Sequence, residues 1–69
     1  MPSIEIFLNG APHPVPEGQT VLGLLESLQL NPARVAVELD GQILRQSYWK
    51  EKILQAGARL EFVHFVGGG

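Results

Sequence analysis

Few side chains in this 69-residue chain could do chemistry unaided. The two histidines, His13 and His64, stand far apart, and neither has a second histidine or a cysteine at the spacing that metal coordination demands. Both read as surface or rim residues. The seven carboxylates are scattered singly. Glu38 and Asp40 share a strand face but flank a turn, where solvated charge explains them better than an acid–base pair, which works inside a cleft. Cysteine is absent, which removes thiolate ligands, a thiol nucleophile and a disulfide framework together. What remains is the end of the chain, where Gly67, Gly68 and Gly69 follow the run EFVHFV.

A glycine run costs conformational entropy when ordered and has no side chain to bury, so it adds nothing to a fold. Nor is it a phosphate-cradling loop, since no helix N-terminus or lysine follows it. An inert, frayed end is the ordinary explanation. The alternative is chemical: Gly-Gly on a flexible stem can enter a channel too narrow for any side chain and present its α-carboxylate to a nucleotide. A carboxylate is a poor electrophile until activated. Adenylation by a partner would supply a leaving group, after which a sulfur or amine nucleophile could take the acyl group.

Composition narrows the setting. Sixty-nine residues with 45% hydrophobic and 17% charged make one compact domain, although a chain of this size buries only about 60% of its unfolded surface. The net charge is −2, and Arg34, Arg45, Lys50, Lys52 and Arg59 are dispersed, which leaves no electrostatic footprint for nucleic acid. The start lacks a signal-peptide pattern and no apolar run approaches the roughly 18 residues of a membrane span. The expectation is a soluble, cytoplasmic protein with no membrane partner.

The elements that must carry the glycine end follow from periodicity. Ile4, Ile6 and Leu8 alternate with Ser3, Glu5 and Phe7, the period of a strand buried on one face. Asn9-Gly10 is a strong hairpin signal. The returning strand, 11–16, carries Pro12, Pro14 and Pro16, so it belongs at a sheet edge. Thr20 is placed to cap a helix over 21–29, whose Val21, Leu24, Leu25 and Leu28 form one apolar stripe. Gly23 inside it marks either a close backbone approach or a tolerated defect, and the second is the simpler reading. Asn31-Pro32 stops the helix.

A second hairpin follows, with Val35, Val37 and Leu39 on one face, Asp40-Gly41 at the turn and a short partner strand at Ile43-Leu44. Residues 45–57 lack a sustained period; Ser47-Tyr48-Trp49 reads as a turn or short helical turn with its aromatics partly buried. In the last strand Leu60 and Phe62 share one face, and Glu61, Val63 and Phe65 the other. One helix can cover one face of one sheet, so the architecture is α+β: a mixed sheet packed on one main helix, its other face open. Parallel pairing of the first and last strands in the middle leaves the proline strand at an edge. The domain is expected over 1–66, with 67–69 a flexible glycine tail.

In IEIFLNG, GQTVLGLLESLQL, RVAVELDGQIL and LEFVHFVGGG the chain resembles the ThiS family of small sulfur carriers across essentially its full length. The resemblance implies the ubiquitin-like β-grasp fold and a role as protein cosubstrate in thiamine-thiazole biosynthesis, not as an enzyme. It implies that a ThiF-like adenylating enzyme uses ATP and Mg²⁺ to convert the terminal carboxylate to an acyl adenylate. A sulfur donor such as a cysteine desulfurase then makes it a thiocarboxylate, and a ThiG-like thiazole synthase receives the sulfur. No cofactor is held stably by the carrier. At matching positions, Gly69 bears the activated carboxyl, Gly68 forms the narrow stem and Gly67 precedes it as a further contact. Val63 and Phe65, close to that stem, would suit partner docking; the other reading has Phe65 folding back over the core rim. The resemblance assigns no role to the proline-rich second strand or to Tyr48-Trp49. The small subunit of molybdopterin synthase, another sulfur-carrier pathway and a ubiquitin-like modifier use the same terminal chemistry, and an inert interaction domain is the reading without it.

Overall fold

The structure is a computed structural model and describes residues 2–65. Five strands form one sheet in the order β2-β1-β5-β3-β4. β1 (Ser3–Leu8) and β5 (Arg59–His64) run parallel in the centre, and the other neighbours are antiparallel. The β1–β2 hairpin closes at Leu8 and Ala11 through Asn9 at φ 50° and Gly10 at φ 84°. Paired positive φ values match the twist of the flanking strands, which is why Asn-Gly stands there. Asp40-Gly41 repeats the device, with φ 51° and 85°, between β3 (Val35–Leu39) and β4 (Gln42–Leu44).

β2 (Ala11–Pro16) shows how its prolines are accommodated. Across a two-residue turn the closing pair is hydrogen-bonded and the pairs then alternate, so Pro12, Pro14 and Pro16, opposite Phe7, Glu5 and Ser3, fall at the non-bonded positions. Their missing N–H groups point outward from the edge, where the ladder loses nothing.

The helix α1 (Val21–Ser27) lies on one face of the sheet. Thr20 caps it, its Oγ1 accepting from Gly23 N at 3.0 Å. Two other N-terminal donors are met from the irregular segment after β4: Val21 N donates to Lys52 O and Leu22 N to Trp49 O, both at 3.0 Å. Those groups have no partner within a helix, so the loop is pinned where the helix needs it. Val21, Leu24 and Leu25 pack against Ile6, Val15, Val35, Val37 and Leu60, with Trp49, Leu54 and Ala58 closing the core.

Three expectations need correction. The helix stops at Ser27 instead of running to 29, because Gln29 turns left-handed at φ 59°. Leu30 N then donates to Leu25 O and Gln29 N to Glu26 O, each at 3.0 Å, the paired bonds of a Schellman ending. Gly23 marks a close approach rather than a plain defect: a Cβ there would lie 3.1 Å from both Thr20 Oγ1 and Gln19 Nε2, so the cap and Gln19 would have to give by a few tenths of an ångström to admit one. The aromatic pair splits. Trp49 is buried with Nε1 donating to Leu44 O at 2.9 Å, while Tyr48 is exposed. No helix among the described residues is long and apolar enough to cross a membrane.

Candidate functional site

The site is approached along β5, which leads to the glycines. Leu60 and Phe62 turn toward the helix, whereas Arg59, Glu61 and Val63 alternate onto the open face. Val63 is 48% exposed and Phe65 53%, so Phe65 does not fold back over the core. Val63 sits opposite Ala36 on β3, and Phe65 continues the antiparallel pairing by donating its N–H to Arg34 O at 2.8 Å. Gly67, Gly68 and Gly69, and the expected domain boundary after residue 66, lie outside the described residues.

The open face carries more than the expected pair. Ile43, 76% exposed, lies opposite Glu38, and Glu38 lies opposite Glu61. Strand alternation across β4 was the signal that would have found Ile43. Directly opposed like charges disfavour the sheet, and neither carboxylate forms a salt bridge among the described residues. The cation of β5, Arg59, holds its guanidinium carbon 5.8 Å from the centre of the Phe7 ring, a cation–π arrangement. Asp40 acts in the fold, its Oδ1 accepting from Arg59 N at 2.9 Å across the hairpin end.

Asn9 ties β5 to the hairpin beside it. The parallel ladder between β1 and β5 covers Phe7 with Arg59 and Leu8 with Leu60. Asn9 then donates its N–H to Leu60 O at 2.8 Å and accepts from Phe62 N on its Oδ1 at 2.9 Å. Sequence reasoning had no access to this contact, which spans 53 positions. His13 lies opposite Ile6 and His64 opposite Val35, and no group of three His, Cys, Asp or Glu side chains among the described residues could hold a metal ion. The arrangement offers a contact face and a firmly held strand that runs up to the last described residues.

A mixed five-stranded sheet on one helix, with parallel first and last strands at its centre, defines a ubiquitin-like β-grasp protein. A family model described as ThiS family matches residues 6–69. The sulfur carrier protein ThiS of Escherichia coli (strain K12) is 30% identical over 66 residues, covering 96% of this chain and 100% of that one. The crystal structure of the thiamine biosynthesis protein ThiS from Geobacter metallireducens superposes with a TM-score of 0.81 at 32% identity, covering 96% of this chain and 100% of that one. The chain belongs to the ThiS family. It is also 39% identical to a thiazole synthase of Magnetococcus marinus, with 96% of this chain covered but 20% of that protein, so it spans about a fifth of that relative's length.

Proposed function

We propose that the chain is a sulfur carrier of thiamine-thiazole biosynthesis, acting through the carboxyl group of Gly69. The carboxylate attacks the α-phosphorus of ATP on a ThiF-like adenylating enzyme, with Mg²⁺ and loss of pyrophosphate. A persulfide, charged by a donor such as a cysteine desulfurase, then displaces AMP to give an acyl disulfide, and a thiol cleaves its S–S bond, releasing the thiocarboxylate and leaving a disulfide on the donor side. Thiazole synthase takes the sulfur from the thiocarboxylate. The carrier contributes no catalytic side chain: Gly68 and Gly67 form a stem that passes where a Cβ would not, and Val63 and Phe65 meet the partner.

The observation that carries this reading is the family match running through residue 69, joined to a central strand whose exposed residues flank the approach to the glycines. The likeness to a much longer thiazole synthase supports that enzyme class as the recipient, since two steps held in one chain gain effective concentration. ATP consumption and the absence of cysteine suit the cytoplasm. Deleting Gly68 and Gly69 tests the proposal: the truncated chain should unfold at an unchanged temperature and no longer turn over ATP with the adenylating enzyme. Undiminished turnover by the truncated chain would contradict it.

A further inference from the structure

β5 is paired unequally along its length. Toward β3 its bonding is continuous: Arg59 bonds with Asp40 and Phe65 with Arg34, so the odd-numbered residues turn their N–H and C=O groups to β3 and the even-numbered ones turn theirs to the β1 side. On that side β1 pairs only as far as Leu60 and then leaves at Asn9-Gly10. Asn9 Oδ1 meets Phe62 N. The Phe62 C=O and the His64 N–H and C=O face the vacated position with no hydrogen-bond partner among the described residues.

We propose that this short edge, Phe62–His64, is a strand-addition site for an extended backbone segment of the adenylating enzyme that takes up the glycine end. Edges are normally guarded, and this molecule guards its β2 edge with three prolines, whereas the β5 edge has neither proline nor lysine. The chemistry of the occupant follows from the groups presented: alternating donors and acceptors at strand spacing are satisfied by another extended backbone. Glycines give a partner no side chain to hold, so main-chain bonds formed just before them supply the register that Gly67–Gly69 cannot. His64 takes part through its amide, not its imidazole. The proposal rests on the sulfur-carrier reading.

The test is amide exchange by NMR on the labelled full-length chain, free and saturated with the adenylating enzyme, beside adenylation kinetics with ATP and Mg²⁺. His64 N–H exchange should slow by about tenfold or more on binding, while Phe62 N–H, already held by Asn9, changes little. N-methylation of the His64 amide in a synthetic chain removes that donor and spares the β3 ladder. It should lower kcat/KM by about fivefold or more, the equivalent of one hydrogen bond. Adenylation that proceeds with His64 exchange unaltered by the enzyme overturns the edge proposal alone. Protection that grows with the concentration of the free chain gives the edge to a second copy and overturns it as well. An intact chain that is never adenylated overturns the functional reading, and this proposal with it.

Discussion

Replacing Val63 by threonine and Phe65 by glutamine should separate docking from folding. Both residues keep about half their surface in water, 48% and 53%. A phenylalanine presents roughly 150–250 Å² in all, so covering its free half removes about 100 Å² from solvent, worth about 2.5 kcal/mol at 25 cal/mol per Å². The free half of the valine adds about 1 kcal/mol. Ordering side chains on both surfaces offsets part of this. A net loss of about 2 kcal/mol corresponds to a rise of about thirtyfold in KM for the adenylating enzyme. The turnover number should hold, because the glycine end is intact. The buried halves lose little, and threonine keeps the branched shape of valine, so the fold should weaken by less than about 1 kcal/mol, or about 4–8 °C in Tm for a domain of this size. The assay is initial adenylation rate against chain concentration, alongside calorimetric unfolding. An unchanged KM with a Tm drop well beyond that range would show the two side chains to be core residues, and the docking argument would be wrong.

Further outcomes concern what holds and shapes the strand. Asn9→Ala deletes the bond to Phe62 N and puts at φ 50° a residue without asparagine's tolerance of the left-handed region, for a cost of about 2–3 kcal/mol. Asn9→Gly loses only the bond, about 1 kcal/mol, and equal losses in urea unfolding would refute this division. Glu61→Gln removes one of the opposed carboxylates on β5 and β3 and should stabilise by about 0.2–1 kcal/mol, a gain that fades with added salt. A destabilised variant would mean the two charges do not repel. Gly23→Ala should fall well short of the usual gain of about 1 kcal/mol in helix propensity, because the new Cβ meets Thr20 Oγ1 at 3.1 Å; the full gain would show that the cap yields without cost.

Most of the fold was legible because it rests on local rules. Asn9-Gly10 and Asp40-Gly41 announce their turns, the three prolines place β2 at an edge, and alternation in β1, β3 and β5 assigns the buried faces. The helix end escaped detection because Gln29 takes the left-handed position that glycine usually marks. Trp49 could not be told from Tyr48 in a segment without period; its burial depends on Leu44 O being within reach of Nε1. At the site, Val63 and Phe65 were readable from strand parity. The Glu38–Glu61 opposition and the contact of Asn9 with Phe62 depend on which strands become neighbours, which no local pattern encodes. The unpaired edge beyond Leu60 was hidden for the same reason.

The central claim is that Gly69 is an acyl end converted to a thiocarboxylate, and intact mass spectrometry reads this directly. The full chain is incubated with the adenylating enzyme, ATP, Mg²⁺, a persulfide sulfur donor and a thiol reductant. The account predicts a mass increase equal to replacement of one oxygen by sulfur, confined to the C-terminal peptide and absent when ATP is omitted. A chain activated by ATP that gains no sulfur and instead appears joined to lysine side chains of other proteins would contradict it.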